Sequence, residues 1–314
     1  MRLGGQPELM ARYIVMRSGL AVVVLACLVS LVFFISRVLG DPASLMAPLD
    51  ASPRAVEELR RQLGFADPIP DQYIRFVRSA LTGNLGDSSW QHVPALPLVM
   101  SRLPATIQLA GATILVASVI GVSMGISAAR KPGSILDSLV SSLAMMSASI
   151  PSFWLALALI VVVAVQLRLV PTSGYGTWQQ FILPLATLVP LSAGRIAQIT
   201  RSSMLETLGL DYIKTAYAKG LSGSAVTLGH AFPNAGLPIL TVASDELASL
   251  LNGSVIVETI FGWPGIGFLT TEAISQRDLA VVTAAVLVIG AQLVALNLLI
   301  DLLYTRLDPR IRLR

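Results

Sequence analysis

Charge is what this sequence has least of. Charged residues make up 13% of its 314 residues and apolar ones 54%, whereas an average soluble domain carries about 25% charged residues. A chain of this length cannot keep its whole outer surface in water with so little charge, so much of that surface is expected to face lipid. The mean hydropathy of +0.74 agrees. Cysteine is almost missing as well: the single Cys27 rules out an intramolecular disulfide framework. There are two histidines, His92 and His230, in different expected compartments, so neither a metal site nor a Cys-His nucleophile is expected. No Gly-Lys pair occurs anywhere, which excludes a glycine-rich phosphate loop that ends in that pair.

What is present is apolar and segmented. A bilayer core about 30 Å thick needs about 20 mainly apolar residues in a helix, and six stretches qualify, near residues 20–39, 105–129, 139–165, 181–201, 237–258 and 279–304. The run through Cys27 continues past Phe33, Phe34 and Ile35, too long for a signal-peptide core, so it reads as an uncleaved membrane helix. The 22 basic residues form no continuous patch of the kind nucleic acid needs. Arg12 and Arg17 precede the first span, Arg130 and Lys131 follow the second, and Arg201, Lys214 and Lys219 follow the fourth. Arg306, Arg310, Arg312 and Arg314 follow the sixth. All these clusters fall on one side of a six-span path, so both termini are expected in the cytoplasm.

The expected division is residues 1–39 as the N-terminus and first helix, 40–103 as an extracytoplasmic domain, and 104–314 as a five-helix core with a cytoplasmic tail. Within the external segment, Ser52, Pro53 and Gly64 have the pattern of a capped helix. Tyr73, Phe76, Val77 and Ala80 recur at helical spacing on a second helix over 71–81, with Arg75 and Arg78 left wet. Pro151, Pro184, Pro190 and Pro238 fall inside spans, where neighbouring helices or water must satisfy the carbonyls they free. A tight bundle and a moving gate explain them equally. Residues 259–278 are too polar and broken to span and are expected as an external hairpin or short surface helix. Trp263 is there either at the pathway mouth or as a membrane-level anchor.

Between spans four and five lies a polar stretch, 205–233, able to form two short helices broken at residues 220–223. By periodicity alone it is a helical hairpin on the inner leaflet. Its residues nevertheless resemble the signature loop of ABC importer permeases, in which a short coupling helix enters a groove on a cytoplasmic ATPase. Lys214, Thr215 and Ala216, then Gly220, then His230, Phe232 and Pro233 stand at the family spacing, with Asp211, Tyr212 and Lys219 among them. Lys214 replaces the usual glutamate and His230 the usual aliphatic residue, and both departures resemble the peptide-permease branch. Further segments extend the resemblance over nearly the whole chain. They include Gly40-Asp41-Pro42-Ala43, Arg102-Leu103-Pro104-Ala105-Thr106, Pro171-Thr172-Ser173-Gly174-Tyr175-Gly176, Val257-Glu258-Thr259-Ile260-Phe261, Trp263-Pro264-Gly265-Ile266-Gly267 and Asp308-Pro309-Arg310-Ile311.

The long first external loop resembles the B-type member of the dipeptide and oligopeptide importers. The resemblance implies an all-helical, six-span permease subunit in a bacterial plasma membrane. It also implies a C-type permease partner, two ATPase subunits or one fused ATPase, and an extracytoplasmic peptide-binding protein. ATP and Mg would belong to those partners, with no cofactor on this chain. Relatives of the same kind carry nickel chelates, glutathione, haem or sugars, and the sequence does not rank these cargoes.

Asp245 and Glu246 lie inside the fifth span, and Asn252 lies seven residues beyond Asp245. Carboxylates at bilayer depth normally face a wet cavity or a partner. Adjacent helical residues point about 100° apart, so one of the pair can line a pathway while the other meets a neighbouring helix or the partner permease. The bland alternative is that both are protonated or paired structurally, for instance with Arg195. Gln108, Gln198, Asn252, Gln292 and Asn297 are weaker candidates, since such side chains more often join helices. Two readings from other classes remain: an intramembrane enzyme using Asp245 or Glu246, which lacks a matching second aspartate motif, and a passive channel, which would need no coupling segment.

Overall fold

The computed structural model describes residues 6–38, 43–44 and 51–307. The expected motif at residues 40–42 and the cationic tail at 308–314 lie outside the described residues. Among those described the regular structure is helical, with one isolated antiparallel bridge between Asp87 and Pro94. Four straight helices are long and apolar enough to cross a membrane, and two bent pairs bring the number to six if each pair is one span. The chain divides into two compact units, residues 1–104 with 265–314, and residues 105–264.

In the first unit, α1 (Gln6–Val38) packs along α12 (Leu279–Leu307). They approach closely at Gly290, where a Cβ would come within 2.2 Å of Leu28 Cδ2. Arg17 and Asp301 pair across the same seam at 3.2 Å. The helix α2 (Pro53–Gln62) starts as its sequence requires: Ser52 is extended, its Oγ accepts from the Ala55 N–H, and Pro53 opens the first turn. Helix α3 (Ile69–Thr82) leans on the end of α1, with Tyr73 and Phe76 rings 5.3 and 5.6 Å from that of Phe33, and the Tyr73 hydroxyl shares a 2.7 Å hydrogen bond with Ser30. Gly83 ends α3 with a left-handed φ of 74°. Asp278 caps α12 and also accepts from the Ser88 hydroxyl, which fastens the 86–94 turn to that helix start.

Helix α4 (Ala95–Arg130) begins ten residues before the expected start of the second span. Ala95 and Val99 give the extension a buried face against Ile266, Leu269 and Ala273 of α11 (Ile266–Ser275) and Val281 of α12. Packing of that face outweighs the local polarity of Ser101 and Arg102.

The second unit is built on α7 (Trp178–Leu208), the most buried of the straight spans. Gly121 and Gly125 of α4 form a Gly-x-x-x-Gly pair against it: a Cβ at Gly121 would lie 2.7 Å from the Ala193 carbonyl oxygen, and one at Gly125 2.5 Å from Thr200 Cβ. Small residues at this spacing let two backbones meet where lipid gives no hydrophobic driving force between helices. Gly194 does the same on another side of α7, against Ser147 and Ala144 of α5 (Ile135–Ser149).

The expected third span is broken. Its arms, α5 and α6 (Ser152–Leu159, extended π-helically through Gln166), meet at 98°. Ile150 is extended at φ −87°, ψ 120°, as the residue before a proline tends to be, and Pro151 supplies no N–H to continue the helix. The fifth stretch is helical from Gly223, π-helical over Val226–Ala231, and continues as α9 (Phe232–Gly253). It then bends by 51° into α10 (Val255–Phe261). Trp263 is buried, not a membrane-level anchor: its Nε1–H donates to the Ala105 carbonyl at 2.9 Å, and its ring meets Tyr175 and Phe181.

Replacing Gly125 with Val is expected to push α4 off α7 and to cost on the order of 1–3 kcal/mol, the usual range for overpacking. A lowered unfolding midpoint in detergent would show it. An unchanged midpoint would mean the close approach carries no stability.

Candidate functional site

The segment between α7 and α9 folds as α8 (Asp211–Ala218), a helix of eight residues. Ile213 and Ala216, three apart, are its only buried residues, and they enter the core formed by Met204, Val226, Ala231 and Ile239 with Phe232 at its edge. The remainder of α8 is exposed: Asp211, Tyr212, Lys214, Thr215 and Tyr217, followed by Lys219 and Gly220. Lys214 Nζ holds Asp211 Oδ1 at 2.8 Å across the exposed face, and Thr215 Oγ1 donates to the Asp211 carbonyl.

The helix ends where Gly220 turns left-handed at φ 81°, its N–H donating to the Tyr217 carbonyl at 2.9 Å. Ser222 then caps the next helical start by accepting from the Ala225 N–H. The expected break at residues 220–223 therefore exists, but the second piece is continuous with the fifth span. His230 and Pro233 are exposed on this continuation, and the His230 carbonyl accepts from Asn234 Nδ2. Of the ten residues expected in the coupling segment, Ala216 is a core residue and Phe232 is partly buried; the others present surface. Tyr217 and Leu221, also exposed here, extend the apolar part of that surface.

A second feature runs along the two helices that pack most extensively on each other, α7 and α9. On α7 the exposed positions Arg195, Gln198, Ser202 and Glu206 follow helical spacing. On α9 the exposed positions Asn234, Asp245, Ser249 and Asn252 do the same. Each helix therefore shows one polar stripe. Arg195 Nη1 reaches Glu246 Oε1 at 2.7 Å, and that carboxylate is buried while Arg195 is about half exposed, at 54%. The pair sets the stripes side by side at the level of Asp245. The exposed faces of α4 and α5 differ, with Leu115, Val119, Leu139 and Leu143 outward. A face of carboxylate, guanidinium and amide groups at membrane depth suits water or a partner, not hydrocarbon.

Asp245 and Glu246 thus sit in two different environments, as their separation of about 100° allows: Asp245 is exposed and Glu246 is buried against Arg195. Among the weaker candidates, Gln108 accepts from the Tyr175 hydroxyl, and Gln292 has both amide atoms buried with no partner among the described residues.

Two polar contacts were not evident in the sequence. Asp137, in the first turn of α5, takes a two-pronged contact from Arg201, with Arg201 Nη2 on Oδ2 at 2.9 Å, and it also accepts from the Gly133 N–H. Glu258 is fully buried and accepts from Thr106 and Ser254 at 2.9 Å each. The Thr106–Glu258 contact joins two of the sequence motifs, the Trp263 side-chain bond to the Ala105 carbonyl adds a third, and the Gly174 N–H donating to the Phe261 carbonyl adds a fourth.

Residues 121–313 match the family described as the binding-protein-dependent transport system inner membrane component, and residues 10–110 match its N-terminal part. The chain belongs to this family.

Similar members include a probable peptide ABC transporter permease protein of Sinorhizobium fredii, 38% identical over 96% of this chain and 100% of that one. The dipeptide transport system permease protein DppB of Escherichia coli is 34% identical over 96% and 99%. Among solved structures, the MetNI methionine ABC transporter in inward facing conformations aligns with a TM-score of 0.57 at 19% identity, over 67% of this chain and 96% of that chain. An amino acid ABC transporter with histidines gives 0.52 at 20% identity, over 67% and 94%. At those identities the likeness bears on the fold. As a member of this inner membrane component family, the chain is a multi-pass transport subunit and not an enzyme.

The Arg195–Glu246 pair is asymmetric, and so are its variants. Arg195→Ala strands a buried carboxylate, whereas Glu246→Ala leaves a half-exposed guanidinium that can find water. The arginine variant is expected to lower the unfolding midpoint in detergent more than the glutamate variant. The reverse order would mean that Glu246 is not buried in the assembled protein.

Proposed function

We propose that this chain is one of two unlike permease subunits of an ATP-driven importer for short peptides. The peptide cargo rests on the peptide and dipeptide permeases to which the chain is similar across nearly its full length. The observation that carries the mechanism is the seating of α8. It is an exposed helix held by Ile213 and Ala216 in the same core as α4, α7 and the start of α9. A partner gripping Asp211, Tyr212, Thr215 and Tyr217 would move that core with it.

In this reading the partner is an ATPase, present as two subunits or one fused chain. It holds ATP and Mg, because this chain lacks the Gly-Lys pair of a phosphate loop. Lys214, Lys219, Gly220, His230 and Pro233 complete the contact surface, which places them and both termini in the cytoplasm. The polar stripes of α7 and α9 line this subunit's half of the passage. A C-type permease supplies the other half, and an extracytoplasmic peptide-binding protein delivers cargo to residues 40–103.

The exposed Asp245 carboxylate and the Arg195 guanidinium offer one charge of each sign to a zwitterionic peptide, with Asn252 about two turns further along the same face. Hydrolysis resets the passage through α8.

Gly220→Pro forbids the left-handed turn and removes the N–H that closes α8. It is expected to leave membrane insertion intact while ATP hydrolysis continues without peptide uptake. Transport at the level of the unaltered chain would remove α8 from the coupling path. Asp245→Asn tests the passage separately: slower uptake with normal coupling is expected, and unchanged uptake across peptides of different charge would show that Asp245 is outside the path.

A further inference from the structure

Beside the seam of α1 and α12 lies a half-open recess of about 500 Å³, bounded by Leu25 and Val29 of α1, Val77 and Ala80 of α3, and Leu287 and Ala291 of α12. Tyr73 is its one lining residue with a polar side chain, and that hydroxyl is engaged by Ser30. A cavity without polar partners does not hold ordered water. Two of its walls belong to helices long and apolar enough to cross a membrane, so the recess lies along the membrane-spanning part of the chain. Along α1 the lining runs from Val22 to Val29, a rise of about 10 Å at 1.5 Å per residue.

The shape selects the occupant. The back is closed by the contact of Leu28 with Gly290, and the end is closed by α3, whose Tyr73 and Phe76 rest on Phe33. The lined stretch of α1, about 10 Å, is shorter than the about 30 Å that a partner's membrane-crossing helix runs. A flexible hydrocarbon chain of that length can lie beneath α3. The exposed stripe of α3 carries Ile74, Arg78 and Leu81, at i, i+4 and i+7, and Leu81 also borders the recess. Apolar residues flanking a cation are the pattern of a helix lying at the headgroup level. Arg78 has no carboxylate within ion-pair distance among the described residues, and guanidinium is suited to binding phosphate with two hydrogen bonds.

We propose that this recess is a phospholipid site. One acyl chain fills the space between α1, α3 and α12, and Arg78 holds the phosphate above it. The lipid then completes the seat of α3 on the transmembrane helices, a contact that the protein side chains leave unfilled.

The test uses the full transporter assembly in lipid nanodiscs containing phosphatidylglycerol with a photoactivatable diazirine in one acyl chain. Labelling is expected to concentrate on the recess residues of α1, α3 and α12, above the level on the lipid-facing Leu115 and Val119 of α4. The paired substitution Ala80→Phe with Ala291→Phe, which fills the recess, should abolish that excess. Arg78→Gln, at an exposed position, should reduce it without altering labelling of α4. Equal labelling of the recess and α4 would overturn the proposal. So would a benzophenone side chain at position 80 that cross-links to a partner subunit in place of lipid.

Discussion

The second unit depends on how closely other helices can approach α7. In a bilayer, apolar side chains gain nothing by leaving lipid for one another, so association rests on contact geometry and polar links. α7 supplies Ala193, Gly194 and Ala197 where larger residues would hold its neighbours away. Gly121 and Gly125 bring α4 onto it, Gly194 receives α5, and α9 and α10 pack on its remaining surface. The polar links follow from this closeness: Arg201 can reach Asp137, and Arg195 can reach Glu246, because the backbones are already near. With the buried faces of α7 committed, its Arg195, Gln198, Ser202 and Glu206 stripe is left exposed beside that of α9.

The same economy shapes α8. Two residues, Ile213 and Ala216, are enough to seat it because they join a core already assembled around Met204 and Val226. Its other residues are free to serve a partner surface. The left-handed Gly220 and the Ser222 cap then return the chain directly into α9. A helix with few buried residues belongs to the less stable part of a fold, where moving elements are found.

Much of this was legible in the sequence. The cap at Ser52, the amphipathic face of α3, the break after Lys219 and the different facing of Asp245 and Glu246 all follow from local chemistry. The start of α4 was not legible, because Ala95 and Val99 earn their helical state from α11 and α12, far away in sequence. Pro151 was visible, but a proline within a long apolar run is compatible with a kink as well as with the 98° break observed. The role of Gly121 and Gly125 depends on α7 lying against them, which no local pattern reveals. Trp263 shows the same limit: its indole N–H finds Ala105, 158 residues earlier, a partner that hydropathy does not predict.

The most direct measurement is disulfide trapping on α8 in native membranes. Cys27 is replaced by Ser and a single cysteine is placed at Tyr217, with cysteines introduced in turn along the grooves of the co-expressed ATPase. The account predicts a cross-link between this chain and the ATPase that forms from Tyr217→Cys and not from a cysteine at Leu115, on the apolar face of α4. Cross-linking absent from Tyr217→Cys and from neighbouring exposed positions of α8, in membranes that transport peptide, would contradict it.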